Sequence, residues 1–532
     1  MDRLINILLF LTLLSFLDPS FSELSESDKQ RASAPVVDNA GVPSFKVTMN
    51  GSEQTLSAHD VAVRYIRSLF LTAEDFLSGV PIAGAVVAAP LSYSAKQLAA
   101  LKAAATEAGL IVLQVIPAPA AAVTAYGLTS PLEGGQLSAH PDCVEAGSYT
   151  PSTELDRNVA VVDVGGSSTT ITVLAARSGL YSLLSYVTDS NLGGQQVDDA
   201  LVNFFAKEFT KKTKIPIEAS NVRAWVKLRN EAEHTKRALS ASTSAQCAVE
   251  SLTEGVDFSG SINRIRMDSL AAPVYSKVIA RTQDALKQAG MDPCQVDEIV
   301  LAGGSARLPG LTNSLIVLFP ENGHAKITAS IDADQVIARG CAVHASSIAA
   351  TPEGAPERSF ALDLALAPPS EIVSLKAPAT ERPFGLVLSE SKDANGAPAA
   401  AVGGQLFVTL LAAKTPLPAR RIYTLPASTA GSVLLSFAEG TPNVKVEKVE
   451  KLKDDNDDED FDDDEGLDDE LEEKHSSIVM ADSKRLVEVV YQAGAKGDRV
   501  RVELVAALDG SVSIVVGEDA SKQEVRLPAA AH

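Results

Sequence analysis

The segment VAVVDVGGSSTTITVLAARSG, residues 159–179, constrains the fold of this chain more than any other stretch. It has the pattern of a buried strand, a tight turn at Gly165 and Gly166, a run of hydroxyl side chains and a second strand. Two glycines let a backbone approach an anion closely, and hydroxyl groups such as that of Ser168 can donate hydrogen bonds to it. Taken alone, the segment fits a phosphate-binding hairpin, and it also fits an ordinary strand hairpin with a polar turn.

Strands and helices alternate on both sides of this hairpin. AGAVVAAP at 83–90 predicts a strand, and an Ala/Leu-rich helix over 94–108 and the strand LIVLQVI follow it. After the hairpin a helical region extends to about residue 242, and VDEIVLAGGSARLPG at 296–310 again has the order of strand, glycine turn and helix start. This alternation predicts an α/β body.

The composition changes from about residue 350. A chain of 532 residues, 45% of them hydrophobic, can divide into two or three domains. The segment ATPEGAPERS predicts a linker over 351–368. Short alternating strands such as QLFVTLLA and SVLLSFAEG follow it, and Asp509-Gly510 predicts a hairpin turn. We therefore expect an all-β domain over 369–532.

The net charge of −22 argues against nucleic acid as a directly bound partner. Residues 454–473 contain fifteen acidic and no basic residues, which predicts a solvated, disordered loop, with an acidic clamp for a basic partner as the alternative. The four cysteines are widely spaced and fit neither a zinc site nor a disulfide framework. Their spacing suits a reducing compartment.

The N-terminal segment, residues 1–41, instead has features of a protein that enters the secretory pathway. Arg3 precedes the apolar run LINILLFLTLLSFL, and Ser20-Phe21-Ser22 has the form of a signal-peptidase site. The apolar run is short for a membrane span. A secretory signal and an incorrectly assigned gene start are the two interpretations.

Three glycine pairs follow one another along the α/β body, namely Gly165-Gly166, Gly193-Gly194 and Gly303-Gly304. Together with NEAEHTKRALSAS at 230–242 and LAGGSARLPG at 301–310, they closely resemble the nucleotide-binding domain of the heat shock protein 70 (DnaK-type) chaperones, which belong to the actin/hexokinase superfamily. The resemblance covers about residues 42–350, and more weakly 369–532 as the β-sandwich peptide-binding domain. It implies an actin-like fold and ATP as the ligand.

The resemblance implies a well-preserved adenosine side. The matching residues are Glu233 and Lys236 for the ribose, Arg237 and Ser240 for the adenine, Gly304, Ser305 and Arg307 for the turn and guanidinium that sandwich the base, and Asp334 at the end of the same pocket. The alternative for the helical members is an ordinary helix with charged side chains three and four residues apart.

The phosphate side matches the family less well. Asp163 matches the carboxylate that handles metal and water, and Ser168 can replace a hydroxyl, but the next family aspartate is Thr170 and a catalytic-side glutamate is Ala118. Two acids after the second glycine pair are glutamines. Magnesium-assisted phosphoryl transfer needs fixed carboxylates and cations around the γ-phosphate. We therefore expect Asp163 and Ser168 to be vestigial catalytic residues and ATP hydrolysis to be lost or nearly lost. We assign no metal ligand.

Two further family features have no counterpart in the sequence. The family's first glycine-rich phosphate hairpin and the lysine that follows it have no match in residues 1–41, so we expect a nucleotide-binding domain that is truncated at its N-terminus. We also expect no helical lid after the β-rich segment.

These departures resemble the atypical fungal member that pairs with zuotin, a J-domain protein, in the ribosome-associated complex. The resemblance implies a cytoplasmic, ribosome-associated regulatory subunit that forms a stable heterodimer with the J-domain protein and helps a second chaperone act on nascent polypeptides. An active ATP-dependent folding chaperone, including a secretory one, is the main alternative, although AAAH is no retention signal. A sugar kinase of the same superfamily is the third, but the all-β module argues against it.

Overall fold

The structure is a computed structural model. It describes residues 35–49, 51–127, 156–177, 180–319, 325–352, 354–355, 378–389, 401–402, 405–426, 431–449, 473–493, 499–517 and 522–528. The apolar N-terminal run, most of the expected linker 351–368 and the acidic run up to residue 472 lie outside these residues.

The first part of the fold is a small α/β unit with two sheets. Its elements are β1 Val36–Asn39, β2 Val42–Met49, β3 Ser52–Ser57, α1 Ala58–Phe76, β4 Ala85–Ala89, α2 Ala95–Glu107, β5 Val112–Pro117 and α3 Ala118–Ala125. β1, β2 and β3 form an antiparallel sheet, and β4 pairs in parallel with β5. Since β1 pairs with β2, the folded unit begins before residue 42, inside the segment that sequence patterns assigned to residues 1–41.

Both long helices of this unit begin at capping boxes. At the start of α1 the Ser57 side chain accepts a hydrogen bond from the Asp60 amide, and the Asp60 carboxylate accepts one from the Ser57 amide. Ser94 and Gln97 repeat the arrangement at the start of α2. Each box satisfies two amides that a helix start otherwise leaves unpaired. The predicted helix over 94–108 is therefore confirmed, and its start has a local physical cause.

The second part is built on a five-stranded sheet. Its elements are β6 Asp156–Val164, β7 Thr169–Arg177, β8 Leu180–Asp189, α4 Gly194–Thr213, α5 Val222–Ala241, β9 Ser244–Thr253, β10 Val256–Asn263, α6 Arg264–Ala289, β11 Glu298–Ala302, α7 Pro309–Leu318, β12 Lys326–Thr328 and α8 Val336–Ala350. The strand order is β12-β11-β6-β7-β8, with β12, β11 and β6 parallel and β6, β7 and β8 antiparallel. Both the predicted hairpin and the α/β alternation are confirmed. Among the described helices, none is both long and apolar enough to cross a membrane.

The helical region that was expected to extend to about residue 242 is divided in two. α4 ends at Thr213, and the next residue, Lys214, adopts the left-handed backbone conformation with φ 66°. Pro216 follows two residues later, and a proline without an amide hydrogen cannot continue a helix. α5 then begins after Asn221, whose side chain accepts a hydrogen bond from the Ala224 amide.

The central strand β6 is apolar without interruption because both faces of the sheet are covered. Val159 and Val161 pack in one core with α3 and α8, whereas Ala160 and Val162 pack in another with α4, α5 and α6. All four side chains are at most 1% exposed. Burying each valine contributes on the order of 1.5–3 kcal/mol. The sheet therefore lies between two layers of helices, and the turns that follow its strands lie at the edge of the sheet.

In the C-terminal part, from residue 378 on, the regular elements of the described residues are β-strands. Its strands are β13 Phe384–Ser389, β14 Ala401–Val402, β15 Gln405–Leu411, β16 Ala419–Pro426, β17 Gly431–Val449, β18 Glu473–Ala493, β19 Arg499–Ala506, β20 Val512–Val516 and β21 Gln523–Leu527. Two sheets, β14-β15-β13-β17-β18 and β16-β19-β20-β21, share a core that includes the fully buried Leu386, Phe437, Val502 and Ile514. Asp509-Gly510 lies in the turn between β19 and β20, as the sequence predicts.

Two buried arginines join the C-terminal sheets to the central sheet. Arg177, at the end of β7, donates to the Ala413 carbonyl at 3.0 Å and to Asn158 Oδ1 at 2.7 Å. Arg421 on β16 forms an ion pair with Asp156 at 3.3 Å, and both side chains are only about one-tenth exposed. The Arg421 Nε has no hydrogen-bond partner, so Asp156 carries most of the compensation for this buried charge.

We expect Asp156→Ala to lower the free energy of unfolding by about 3–5 kcal/mol, because it leaves the buried Arg421 without its counter-ion. The matched control is Arg420→Ala, which removes an exposed ion pair to Glu503 from the neighbouring position and is expected to lose less than about 1 kcal/mol. Urea titration followed by the fluorescence of Trp225, the single tryptophan, measures both values. Equal losses in the two variants would contradict the prediction.

Candidate functional site

Two of the three glycine turns are bonded directly to each other. The Gly194 amide donates to the Gly165 carbonyl at 3.0 Å, and the Gln195 amide donates to the Gly166 carbonyl at 2.7 Å. The turn before α4 therefore lies on top of the turn between β6 and β7. A Cβ on Gly193 would lie 2.6 Å from the Gly166 oxygen, so only glycine allows this approach.

The third glycine turn lies at the same edge of the sheet. β11 runs parallel to β6 with Ala302 opposite Asp163, so the two strands end side by side. Gly303 follows with φ +83°, and a Cβ at this position would lie 2.6 Å from Asp163 Oδ1 and closer still to the Val164 carbonyl. The turns at which parallel strands end form the usual ligand site of an α/β sheet.

A buried lysine connects the glycine turns to helix α5. Lys236 Nζ donates to Asp198 Oδ2 at 2.8 Å and to the Gly194 carbonyl at 3.3 Å. A Cβ on Gly194 would meet both the Ser305 hydroxyl and the Lys236 ammonium group, so both lie next to this glycine. Lys236 and Asp198 are both less than a tenth exposed. α4, α5 and the turn after β11 therefore meet at one buried charge pair.

Asp198 was not singled out from the sequence. Burial raises the pKa of this carboxyl group and Lys236 opposes the rise, and the second carboxylate oxygen, Oδ1, is buried without a hydrogen-bond partner. The sequence does show an acidic residue four positions after Gly194, which is one helical turn further along α4 than the glycine pair.

The predicted adenosine-side residues of α5 share one face of the helix. Glu233, Lys236, Arg237 and Ser240 are spaced by three, four and seven residues from the first. Glu233 and Arg237 form an ion pair, and the Ser240 hydroxyl donates to the Lys236 carbonyl at 3.3 Å. The ordinary-helix alternative also explains the Glu233–Arg237 pair, but it does not explain why Lys236 is buried at the glycine turns.

Arg307 is held by two carboxylates. It lies in the short 3-10 helix Gly304–Arg307 and donates to Asp334 at 3.2 Å and to Asp332 at 2.9 Å. The structure therefore brings Arg307 and Asp334 together, as the resemblance implies, and adds Asp332, which the sequence did not single out. Both carboxylates and the guanidinium remain partly exposed. Arg307 and Asp332 also line a cleft of about 360 Å³ beside this turn.

Asp163, a residue predicted for the phosphate side, lies near the end of β6. Burial raises the pKa of Asp163 to about 6, and within the described part of the chain Asp163 takes part in no ion pair. Thr170 stands opposite Asp163 in the β6–β7 register, and its hydroxyl is bonded to Thr188 at 3.2 Å. The Ser168 carbonyl accepts the Gly165 amide at 2.9 Å, which closes the turn. The described residues contain no group of three metal-ligating side chains.

Comparison with known proteins identifies the family. The model of the family described as Hsp70 protein matches residues 17–358. The chain is 32% identical over 488 residues to a heat shock protein 70 homolog of Schizosaccharomyces pombe, covering 90% of this chain and 77% of that protein.

Two other relatives match at similar levels. Ribosome-associated complex subunit SSZ1 of Saccharomyces cerevisiae is 30% identical over 444 residues, 82% of this chain and 74% of that protein. Heat shock 70 kDa protein 14 of Xenopus tropicalis is 30% identical over 413 residues, 77% of this chain and 72% of that protein. The five-stranded sheet with its three glycine turns is the actin-like nucleotide-binding domain of this family, and the chain belongs to the Hsp70 protein family.

Proposed function

We propose that this chain is an atypical Hsp70-family chaperone that acts as an ATP-binding regulatory subunit of a ribosome-associated complex. In this proposal it hydrolyses ATP little or not at all and helps a second, active chaperone to fold nascent polypeptides. One observation carries the proposal: Lys236 is buried at the glycine turns against Asp198 and the Gly194 carbonyl, whereas Asp163 forms no ion pair within the described residues.

The adenosine side fits a nucleoside. In the proposal Glu233 and Lys236 bind the ribose, because a carboxylate and an ammonium group can accept and donate hydrogen bonds to its hydroxyl groups. Arg237, Ser240 and Arg307 bind the adenine, since a planar guanidinium stacks favourably on a flat ring. Bound ATP supplies a phosphoanhydride bond, and the residues named here only bind and orient the nucleoside.

The phosphate side does not fit phosphoryl transfer. That reaction requires carboxylates and cations fixed around the γ-phosphate. Thr170 offers a hydroxyl that is already bonded to Thr188, and Ala118, the first residue of α3, has no polar side chain. Among the described residues predicted for the phosphate side, Asp163 is a carboxylate that forms no ion pair. No hydrolytic step follows from these groups.

The proposed role at the ribosome rests on the similarity to SSZ1, which is named as a subunit of the ribosome-associated complex. In the proposal the nucleotide unit spans residues 42–350 together with β1, and the β-sandwich unit spans 369–532. The partner is a J-domain protein of the zuotin type, and the ribosome and the nascent chain are reached through that complex. Such a role requires the cytoplasm, so residues 1–22 do not act as a secretory signal in this proposal.

The C-terminal sheets offer a surface for a lasting partner. Leu434 on β17 and Val490 on β18 stand opposite each other in the antiparallel register, and they are 55% and 48% exposed. Apolar cross-strand pairs usually face a core, and an exposed pair gains free energy when a partner covers it. We place the contact with the J-domain protein on this pair.

The nucleotide assignment predicts that Arg307→Ala weakens ATP binding about tenfold or more, because a stacking cation worth on the order of 1.5–3 kcal/mol is lost. Arg229→Ala is the control, since Arg229 lies on the same helix as Lys236 and pairs with Asp199 on the exposed surface. Isothermal titration calorimetry with ATP measures both affinities. Unchanged affinity in Arg307→Ala would remove Arg307 from the site.

The loss of hydrolysis predicts that single-turnover rates with radiolabelled ATP are at background, both for the wild type and for Asp163→Asn. A wild-type rate that falls in the variant would instead favour the active chaperone.

Asp163→Asn also has an expected effect on stability. The folded state holds the Asp163 proton more tightly than the unfolded state does, because burial raises the pKa from 3.8 to about 6. The ionised group therefore opposes folding above that pKa, and the penalty disappears as the pH falls to about 4. We expect the variant to melt at a higher temperature than the wild type at about pH 8, and the two to converge near pH 4. A lower melting temperature at pH 8 would contradict the isolation of this carboxylate.

The partner assignment predicts a heterodimer between the full chain and a zuotin-type J-domain protein that survives gel filtration without added ATP. Leu434→Asp is expected to separate the two proteins, because a charge on the covered face must lose its water. Leu508→Asp is the matched control, an equally apolar residue that is 62% exposed and lies beyond β19. Co-elution of the Leu434→Asp variant would move the interface to another surface.

A further inference from the structure

Arg307 binds the adenine in the proposed function, although its side chain is 48% exposed. It ends the short 3-10 helix Gly304–Arg307. An exposed arginine side chain has many rotamers, and a ring stacks only on a guanidinium whose plane has the right orientation. Any freedom that the side chain loses when the ring binds lowers the affinity. Tight stacking therefore requires groups that hold Arg307 before the ligand arrives.

Two carboxylates fix the plane of the Arg307 guanidinium. One terminal nitrogen, Nη1, donates to Asp334 Oδ2 at 3.2 Å, and the other, Nη2, donates to Asp332 Oδ1 at 2.9 Å. A single hydrogen bond would let the group turn about that bond, whereas bonds at both terminal nitrogens define its plane. Guanidinium donors point within the plane of the group, so these bonds leave its faces available to a ring. Arg307 also lines the cleft described above, so open space adjoins it.

Asp332 is itself held in place at the start of α8. Its carbonyl accepts the Gln335 amide at 2.8 Å, and its Oδ2 accepts a hydrogen bond from the Gln335 side chain at 3.3 Å. The carbonyl of the next residue, Ala333, accepts the Gly303 amide at 2.8 Å. These bonds tie the segment after β12 to the third glycine turn. The position of the Asp332 carboxylate relative to Arg307 is therefore set by the same turn that carries Arg307.

We infer that Asp332 is a positioning residue of the nucleotide site, which holds the Arg307 guanidinium in the orientation that stacks on the adenine. Asp332 acts through Arg307 and makes no contact with the ligand. The inference rests on the proposed adenine-nucleotide function and adds a residue to that site. Because Arg307 is held in advance, less side-chain freedom is lost on binding, and we expect Asp332 to raise the affinity for ATP about threefold to tenfold.

A double-mutant cycle measures this coupling. Isothermal titration calorimetry gives the ATP affinity of the full-length chain as wild type, Asp332→Ala, Arg307→Ala and the double variant. Salt at about 0.3 M screens most of the repulsion between the Asp332 carboxylate and the phosphates. We expect Asp332→Ala to bind ATP about threefold to tenfold more weakly than the wild type. In the Arg307→Ala background the same substitution is expected to cause no further loss, because the guanidinium that it positions is absent.

Asp199→Ala is the matched control. Asp199 pairs with Arg229, and its side chain is 49% exposed, against 50% for Asp332, so the control also removes a half-exposed partner of an arginine. It is expected to bind ATP as the wild type does. Asp332→Asn is the second variant, which keeps the size of the side chain and an acceptor oxygen, and it is expected to lose less affinity than Asp332→Ala. It replaces Asp332→Ala in the cycle if that variant fails to fold, judged by Trp225 fluorescence.

The outcomes separate the inference from the proposed function. An equal loss of affinity from Asp332→Ala in both backgrounds indicates a direct contact or a general structural effect, and it would overturn the inference. Unchanged affinity in Asp332→Ala together with weaker binding by Arg307→Ala would also overturn it, and the proposed function would stand. If the wild type does not bind ATP, or if Arg307→Ala binds it as tightly as the wild type does, the proposed role of Arg307 is overturned together with the inference.

Discussion

The close approach of three backbone turns is the constraint on which the rest of the nucleotide unit depends. Gly193 lies against the carbonyl groups of Gly165 and Gly166, and Gly303 lies against Asp163 at the end of the neighbouring parallel strand. A side chain at either position would push β6, α4 and the turn after β11 apart. Because α4 also packs on one face of the sheet, the position of the glycine turns and the packing of that core have the same cause.

Buried ion pairs supply the remaining alignment. Lys236 and Asp198 join α5 to α4 at the glycine turns, and Arg421 and Asp156 join the C-terminal sheets to the central sheet. A buried pair contributes little net stability, since desolvation of both charges offsets their attraction, but loss of one partner is strongly unfavourable. Such pairs therefore act as positional restraints: each one disfavours arrangements in which its two elements separate.

The same pairing decides what the site can do chemically. In the proposed function, an arrangement that pairs each of these bases with a carboxylate leaves few groups for the transfer of a phosphoryl group. A subunit that binds a nucleotide without hydrolysing it has no means of driving a cycle of partner binding and release. The proposed lasting association through Leu434 and Val490 is consistent with such a subunit.

The sequence by itself determined the parts of this protein that depend on neighbouring residues. The alternation of strands and helices, the hairpin at Gly165, the turn at Asp509-Gly510 and the shared face of α5 from Glu233 to Ser240 follow from local periodicity and turn chemistry. Local signals placed the start of the fold at residue 42, because β1 is short and is recognised only through its pairing with β2.

Only the tertiary structure decided which charges meet. Asp198 lies 38 residues before Lys236 and Asp156 lies 265 residues before Arg421, and no pattern of spacing links residues so far apart. The contact of Asp332 with Arg307 likewise requires the chain to return past β12. Such pairings depend on how whole elements pack, and packing is a property of the folded chain rather than of any segment. The sequence therefore predicted a nucleotide site at the glycine turns, and the fold determined which carboxylates pair with its basic residues.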